Sequence, residues 1–282
     1  MESKPFLKWA GGKGKLIKDY LPYFPEVFGN YYEPFLGGGA IYYHLKNSGK
    51  IKGRAFLSDI NTGLIDTYKT VRDRPFDLII LLRQHKLKHS PSYYKEIRAI
   101  TYPTPLERAA QFIYLNKSCF NGLYRENKQG GFNVPIGRYA DPLICDEAGL
   151  VAASMALQSA TIHSKSFHEA LTQPTAGDLV FLDPPYAPIE QGGKNFKAYT
   201  KYPFGDEQQR ELRDKFAELS DRGCFVMAAN SYSESILSLY SDRSVFGTRL
   251  PRIIKVMAGR SINSKGGDRV KVGEALILGW QP

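Results

Sequence analysis

The sequence has few cysteines and histidines and no long apolar segment. Its three cysteines, Cys119, Cys145 and Cys224, are far apart and follow neither a metal-binding nor a redox spacing, and its five histidines are scattered. We therefore expect free thiols in a reducing compartment and no bound metal. No apolar run approaches the roughly 20 residues that a membrane-spanning helix needs. The first residues also lack the apolar core of a secretory signal, so we expect a cytoplasmic protein with no membrane partner.

The sequence has fewer acidic residues than basic residues. The 282-residue chain carries 38 Lys and Arg against 28 Asp and Glu, a formal net charge of +10, and its isoelectric point is near 9.3. A basic surface attracts phosphate backbones, so this balance favours a polyanionic partner, although a basic surface without a partner would give the same count. The length of 282 residues permits one large domain or two smaller ones, and hydrophobic residues at 43% are ordinary for a globular protein.

The first 60 residues have the pattern of an α/β unit. "YYEPFLGGGAIYYHLK" predicts a short strand, a turn at Gly37–Gly39 and a helix, and "GRAFLSDIN" predicts a second strand that ends at Asp59. Helical patterns then dominate, and alternation of strands and helices resumes afterwards. We predict an α/β fold with a doubly wound, mostly parallel sheet, formed by residues 1–62 and 158–282. Residues 63–157 would form an inserted, mostly helical domain.

Two glycine-rich stretches are candidates for phosphate or nucleotide binding. "AGGKGKL" lacks the spacing of an NTP-binding loop, and Leu16 stands where a hydroxyl should follow the lysine. "FLGGGAIYY" resembles a dinucleotide-binding turn, although Tyr42 occupies the third glycine position and a plain tight turn has the same pattern. Asp59, about 20 residues on, could accept both hydroxyls of an adenosine ribose. These residues predict an adenosyl cofactor and leave S-adenosylmethionine (AdoMet) and NAD equally well placed.

A proline-rich turn follows the apolar stretch of "GDLVFLDPPYAPIE". We predict a buried strand over Leu179–Leu182, which Pro184 and Pro185 must end because proline cannot donate to a strand ladder. The Asp183 carboxylate and the Pro184 carbonyl could accept hydrogen bonds from both N–H groups of a nucleobase amine, and the prolines would hold these acceptors rigid. Tyr186 offers a ring for stacking. The turn therefore predicts chemistry on a base amine, with a simple strand-terminating turn as the structural alternative.

The cofactor motifs come before the catalytic Asp-Pro-Pro-Tyr motif. In this order, the motifs resemble those of the Dam-type DNA adenine N6-methyltransferases over nearly the whole chain. The stretches that carry the resemblance are "PFLKWAGGKGKL", "EPFLGGGA", "LSDIN", "FNGLYREN", "FNVPIGRY", "DPPYAP", "NFKAY" and "RSINSKGGDR". The resemblance implies a Rossmann-like methyltransferase fold and AdoMet as cofactor. It implies methylation at N6 of an adenine flipped out of duplex DNA, in the sequence GATC, by a bacterial or phage-encoded enzyme expected to act as a monomer. A solitary enzyme and the partner of a restriction enzyme both stay open.

The resemblance also implies roles for individual residues of the AdoMet site and the catalytic turn. The implied cofactor-binding residues are Trp9, Lys13, Glu33, Phe35, Gly37, Gly39, Asp59, Phe167 and Asp183. Of these, Asp59 would bind the ribose and Phe167 would line the pocket for the cofactor's adenine. The catalytic residues would be Asp183, Pro184 and Tyr186, with Tyr186 stacked on the flipped adenine. Phe196 and Tyr199 would wall the pocket for that adenine.

The stretch "SCFNGLYRENKQGGFNVPIGRY" has the residues that a DNA-reading segment needs. Phe120 could wedge into the stack that a flipped base leaves, and Asn121 and Arg125 could reach base edges. Many family members carry Tyr where this chain has Phe120, a change that keeps stacking and removes a hydroxyl. The implied DNA-binding residues are Lys8, Phe120, Asn121, Leu123, Arg125, Pro135, Arg138, Arg260, Lys265 and Arg269. The structural alternatives are a basic surface loop and, for the last three, a solvated hairpin tip that also carries Lys271.

Three rival functions stay under consideration. Methylation of RNA or of a cytosine amine would use the same chemistry, but cytosine enzymes of this type tend toward Ser at the position of Asp183. A DNA-binding regulator without catalysis would need none of Asp59, Asp183 and Tyr186. An NAD-linked oxidoreductase would need a hydride-transfer site, for which the sequence offers no candidate.

Overall fold

The computed structural model describes residues 2–127, 129–186, 204–259 and 271–281. Within them the chain forms one seven-stranded sheet with helices around it. The strands are β1 (Tyr31–Glu33), β2 (Ala55–Asp59), β3 (Ala160–Ser164), β4 (Leu179–Leu182), β5 (Phe225–Ser231), β6 (Arg252–Gly259) and β7 (Lys271–Leu278). Their order across the sheet is β3-β2-β1-β4-β5-β7-β6.

The sheet is parallel from β3 to β5 and antiparallel at its β6–β7 edge. Side chains of β4 alternate between two buried clusters: Leu179 and Phe181 belong to one, and Val180 and Leu182 to the other. Because both faces of the sheet are covered at β4, all four residues of this strand are apolar and buried, as its continuous apolar run predicts. The α/β class and the doubly wound, mostly parallel sheet are confirmed.

Helices connect the strands and cover the sheet. They are α1 (Ile17–Tyr20), α2 (Ala40–Asn47), α3 (Thr62–Asp73), α4 (Pro75–Lys88), α5 (Pro91–Ala99), α6 (Pro105–Ser118), α7 (Glu147–Leu157), α8 (Phe167–Ala170), α9 (Asp206–Asp221), α10 (Glu234–Tyr240) and α11 (Arg243–Phe246). Short 3-10 turns occupy Lys13–Lys15, Leu21–Tyr23 and Phe120–Gly122. The start of α6 shows how local sequence sets these bounds, because Thr104 and Glu107 form a capping box around Pro105.

The chain between β2 and β3 is mainly helical where the structure describes it. It contains α3 to α7, and its β-type pairing there consists of two isolated bridges, Cys119–Ile136 and Glu126–Phe132. This region shares a single buried cluster with the sheet, since Tyr114 of α6 and Leu57 of β2 both belong to it. A separate recognition domain with boundaries at 62/63 and 157/158 stays a prediction.

Three further findings concern membranes, metals and thiols. Among the described residues, no helix has the length and apolar character to cross a bilayer. The same residues hold no group of three or more His, Cys, Asp or Glu side chains arranged to bind a metal ion. The three cysteines are free thiols, of which Cys119 and Cys224 are buried.

Candidate active site

The site lies where the sheet order reverses. β1 and β4 are adjacent and parallel, but β1 connects toward β2 and β3 on one side, whereas β4 connects toward β5 on the other. In open α/β sheets this reversal opens a crevice at the carboxyl ends of the two strands. The glycine turn follows β1, and the Asp-Pro-Pro-Tyr turn follows β4. The two motifs that the sequence singles out therefore meet at one edge of the sheet.

The glycine turn needs its glycines for both conformation and space. Gly37 has φ 47° and Gly39 has φ 68°, in the left-handed region that favours glycine. A Cβ on Gly37 would lie 2.7 Å from Cδ1 of Trp9, and one on Gly39 would lie 2.9 Å from the hydroxyl of Tyr68. The Tyr68 hydroxyl donates a hydrogen bond to the Gly37 carbonyl at 3.1 Å. Trp9 therefore packs directly on the turn, and the turn has no room for a larger residue.

Asp59 joins the end of β2 to the glycine turn. Its Oδ2 accepts a hydrogen bond from the Gly37 amide at 3.1 Å, and its Oδ1 accepts one from the Asn61 amide at 2.9 Å. Burial raises the pKa of this carboxyl, and the two amide donors oppose the rise. The carboxylate is half-buried. Asp59 thus sits beside the turn, as the cofactor hypothesis requires.

Three more of the predicted cofactor residues lie at or just beyond the carboxyl ends of β1 and β3, the strands on either side of β2. Glu33 at the end of β1 is buried and accepts a hydrogen bond from the Tyr31 hydroxyl at 2.9 Å. Burial raises the pKa of Glu33 to about 8. Phe167, the first residue of α8, stacks on Phe35 with ring centroids 5.7 Å apart. The structure therefore places Phe35 and Phe167 together as an aromatic pair.

An ion pair occupies the centre of the site. The Lys13 ammonium lies 2.7 Å from Oδ1 of Asp183, donates to the Gly11 carbonyl at 2.7 Å, and lies 4.7 Å from the ring centroid of Tyr186. The Lys13 side chain is only 3% exposed. Burial raises the pKa of Asp183 to about 6, against the pull of the Lys13 ammonium, and the Glu274 carboxylate adds to the rise. A carboxylate, a cation and an aromatic ring thus share one small volume.

The Asp-Pro-Pro-Tyr turn is anchored from behind by two buried amides that the sequence analysis missed. Gln209 of α9 donates to the Pro185 carbonyl at 3.0 Å, and Asn230 of β5 donates to the Gln209 side-chain oxygen at 3.0 Å. One sequence signal could have identified Gln209. It lies three and seven residues before Leu212 and Phe216, on the apolar stripe of its helix, where an amide needs a partner.

The Gln209 anchor yields a prediction about stability. We expect Gln209→Leu to lower the free energy of unfolding by about 1–3 kcal/mol, because buried polar groups lose a partner that leucine cannot replace. Urea unfolding of the two proteins measures the difference. Arg210→Leu, at an exposed position of the same helix, is the control for introducing a leucine into α9. A Gln209→Leu protein as stable as the parent would show that the anchor contributes nothing.

A second missed feature is the partner of the Tyr186 hydroxyl. That hydroxyl donates to Oε2 of Glu274 in β7 at 2.7 Å, and the hydroxyl of Tyr20 in α1 reaches the same oxygen at 3.2 Å. Nothing in the local sequence marks Glu274, because an acid within a strand pattern is usually a solvated side chain.

The predicted recognition segment folds back on itself. The Phe120 amide donates to the Pro135 carbonyl at 2.9 Å, and the Asn133 amide donates to the Arg125 carbonyl at 2.7 Å. Phe120 is 41% exposed, and Asn121 has φ 54°, which is uncommon for a residue other than glycine and is often found at functional sites. The predicted DNA residues Phe120, Asn121, Arg125, Pro135 and Arg138 are exposed, and Leu123 is half-buried. The two backbone pairings bring Phe120 next to Pro135 and Arg125 next to Asn133.

Lys8 lies beside this segment, although it is far away in sequence. Its backbone amide donates to Oδ1 of the buried Asn116 at 2.9 Å, and Nδ2 of Asn116 donates to the carbonyls of Lys8 at 2.8 Å and Gly122 at 3.2 Å. The Lys8 ammonium lies 4.1 Å from the ring centroid of Tyr139. The next residue, Trp9, stacks on Tyr124 at 5.6 Å. Residues 8 and 9 therefore contact both the recognition segment and the glycine turn.

Some predicted site residues lie outside the described residues. These are Phe196, Tyr199, Arg260, Lys265 and Arg269. Their roles stay predictions from the sequence. Lys271 is the first residue of β7.

The fold and this site define a Rossmann-like methyltransferase, with a glycine turn and an Asp-Pro-Pro-Tyr turn meeting at the switch point of the sheet. A family model of D12 class N6 adenine-specific DNA methyltransferases matches residues 9–258, and the chain belongs to this family. The family and the class of enzyme expected from the sequence are thereby confirmed.

Individual relatives resemble the chain over nearly its full length. It is 38% identical over 300 residues to the type II methyltransferase M.MjaIII of Methanocaldococcus jannaschii, covering 99% of this chain and 100% of the relative. It is 35% identical over 285 residues to the type II methyltransferase M1.LlaDCHI of Lactococcus lactis subsp. cremoris (98% and 95%). It is 34% identical over 290 residues to the DNA adenine methylase of Salmonella typhi (100% and 96%).

Proposed function

We propose that the protein, acting as a monomer, transfers a methyl group from AdoMet to N6 of an adenine flipped out of duplex DNA, in the sequence GATC. The observation that carries the proposal is the cluster of Lys13, Asp183 and Tyr186 beside the glycine turn. A DNA adenine methylase among the relatives supports it. The choice of GATC rests on the resemblance of the recognition segment.

The residues at the switch point fit AdoMet. The half-buried Asp59 carboxylate suits a ribose, and the adjoining glycine turn carries no side chains that would keep a ligand from its backbone. Among the described residues, Asp183 interacts with a second carboxylate, Glu274, as well as with the Lys13 ammonium. Two neighbouring carboxylates suit a ligand with a positive centre. AdoMet, when bound, supplies an activated methyl group on a positively charged sulfur.

Asp183 would orient the target amine. Its Oδ1 already accepts an N–H donor, the Lys13 ammonium, at 2.7 Å, so an adenine amine would replace this donor or use the second oxygen. With a further bond to the Pro184 carbonyl, both amine protons would be held and the nitrogen lone pair would point toward the methyl group. After gaining the methyl, the nitrogen must lose one proton. An Asp183 carboxyl with a pKa of about 6 is a competent acceptor near neutral pH.

The recognition segment would make the adenine accessible. Flipping a base out of a duplex costs a few kcal/mol of stacking and pairing. The exposed Phe120 ring is placed to fill the gap, and Arg125 is placed to reach base edges. Lys8, Leu123 and Pro135 would complete the reading of GATC. The contacts of residues 8 and 9 would then link the DNA surface to the cofactor turn.

Transfer of labelled methyl from AdoMet to paired duplexes tests the proposal. One duplex contains a single GATC and the other has the same bases scrambled. Label in the GATC duplex alone, recovered as N6-methyladenine, is the expected result. Label in both duplexes as N6-methyladenine would keep the chemistry and refute the site. Cofactor binding without label in either duplex would point to another target sequence, and no cofactor binding would overturn the AdoMet assignment.

Arg125 provides a test of whether the recognition segment distinguishes one DNA base pair from another. We expect Arg125→Ala to lower kcat/KM on GATC by on the order of 10–100-fold and to weaken discrimination against a duplex with one altered base pair, since a bidentate arginine contributes about 1–3 kcal/mol of discrimination. Among the described residues, the guanidinium donates to the Asn133 carbonyl of its own segment, so folding should be preserved. The control is Arg74→Ala, which removes an arginine from an exposed pair with Asp77. Equal losses on matched and altered duplexes would assign Arg125 to the DNA backbone.

A further inference from the structure

One carboxylate oxygen connects three elements around the catalytic turn. Oε2 of Glu274 accepts the Tyr186 hydroxyl at 2.7 Å and the Tyr20 hydroxyl at 3.2 Å. Tyr20 is fully buried at the end of α1, and Glu274 lies in β7, paired with Ser231 of β5 and Val256 of β6. The residue on which a base would stack is therefore attached to the sheet by its far end.

This attachment fixes the orientation of the Tyr186 ring. The ring torsion of a tyrosine has a broad, roughly two-fold energy profile, so packing alone holds it loosely. A hydrogen bond from the hydroxyl to a charged acceptor is about twice as strong as a neutral one and restrains both side-chain torsions at once. A stacking surface that must place an amine against a methyl group gains from this restraint, since a misplacement of about 1 Å can cost on the order of 100-fold in rate.

The same carboxylate also acts on the charge of Asp183. Burial is the main cause of the raised pKa of Asp183, the Lys13 ammonium lowers it, and the Glu274 carboxylate raises it. Within the part of the chain that the structure describes, Asp183 also interacts with Glu33 and with the hydroxyls of Tyr20, Tyr31 and Tyr186. The hydroxyls have pKa values raised above their usual range and so stay neutral. Removing the charge of Glu274 should therefore lower the pKa of Asp183.

We propose that Glu274 is a positioning residue for methyl transfer, which acts through the Tyr186 hydroxyl to hold the ring against the flipped adenine. The inference rests on the proposed function. Glu274 lies beyond residues 9–258, the span that matches the family model. Its hydrogen bond to Tyr186 joins β7 to the turn after β4, and so it is a property of the fold rather than of a local motif.

The hydrogen bond and the charge of Glu274 can be separated by two substitutions. Glu274→Leu removes both, and we expect kcat at pH 8 to fall on the order of 10–100-fold, with KM for AdoMet changed much less. Glu274→Gln keeps an acceptor oxygen and should restore most of kcat. In Glu274→Gln the acid limb of the kcat profile should lie at lower pH than in the parent, because Asp183 has lost a negative neighbour. Equal losses of kcat in the two variants would overturn the positioning role.

A double-mutant cycle tests whether Glu274 acts through Tyr186. Tyr186→Phe keeps the ring and removes the hydroxyl, so we expect the double variant Tyr186→Phe, Glu274→Leu to be no slower than the slower single variant. Losses that multiply in the double variant would overturn the proposal. Glu218→Gln, which removes an exposed carboxylate from α9 without touching the site, is the control and should leave kcat unchanged.

A measurement without turnover separates this inference from the proposed function. In protein labelled with 3-fluorotyrosine, the fluorine resonance of Tyr186 is assigned by its loss in Tyr186→Phe. We expect this resonance to move or broaden in Glu274→Leu and to stay close to its parental position in Glu274→Gln. An unchanged resonance in Glu274→Leu would overturn the anchoring. Parent protein that shows the expected resonances but transfers no methyl would instead overturn the proposed function.

Discussion

Asp183→Ala will abolish methyl transfer while AdoMet and duplex DNA still bind measurably. The substitution removes the carboxylate that would accept the N–H of the target amine and take up its proton. Lys13 loses its ion-pair partner at the same time, but it keeps the Gly11 carbonyl as an acceptor. Binding should weaken less than turnover, because Asp59, the glycine turn and the recognition segment are untouched. Labelled-methyl incorporation under single-turnover conditions measures the effect.

Asp183→Asn is the matched variant for this prediction. Asparagine keeps the size of the side chain and one acceptor oxygen but cannot take up the proton, so we expect a loss on the order of 10²–10⁴-fold. Thermal unfolding curves for both variants show whether the fold is intact. Turnover in Asp183→Ala near the parental rate would refute the mechanism, and loss of cofactor binding together with turnover would make Asp183 a binding residue only.

Much of the fold could be predicted from the sequence because its signals are local. The apolar run of β4 ends at two prolines, and the acid of "LSDIN" ends β2, so both strand ends and the side chains that follow them were predictable. Parallel strands bring such ends to one edge of a sheet. The sequence alone therefore predicts that Asp59, Asp183 and the glycine turn belong to one site.

The contacts that complete the site could not be predicted, because they join distant parts of the chain. Lys13 was expected to contact the cofactor, but its pairing with Asp183 depends on how the N-terminal segment crosses the sheet. Glu274 reaches Tyr186 only because β7 inserts antiparallel beside β5, and neither strand sequence specifies that order. Gln209 is the intermediate case, since its place on an apolar helical stripe was visible and its partner was not.

Lys13→Met will move the acid limb of the kcat profile to higher pH. In the parent protein, activity should rise as the pH rises through about 6, where Asp183 ionises. Burial and Glu274 raise that pKa, whereas the Lys13 ammonium lowers it, so removing the ammonium shifts the balance toward the protonated form. On the acid limb, each unit by which the pKa of Asp183 rises lowers the ionised fraction of Asp183 about tenfold. We expect a large loss near pH 6.5 and a smaller one near pH 8.5.

The same substitution should change the pH dependence of stability. The folded-state pKa of Asp183 already lies above its usual value of 3.8, so folding takes up protons between these values, and stability from this group falls as the pH rises through that window. A still higher pKa in Lys13→Met extends the window upward, and a buried carboxylate without its partner becomes costly at alkaline pH. We therefore expect Lys13→Met to lose more stability, relative to the parent, at pH 8.5 than at pH 5.5 in urea unfolding.

Lys18→Met, at an exposed position of α1, is the control. The ion pair would not control the ionisation of Asp183 if two results were found together. These are an acid limb of kcat at the same pH in Lys13→Met and in the parent, and a stability difference between the two proteins that is the same at pH 5.5 and pH 8.5.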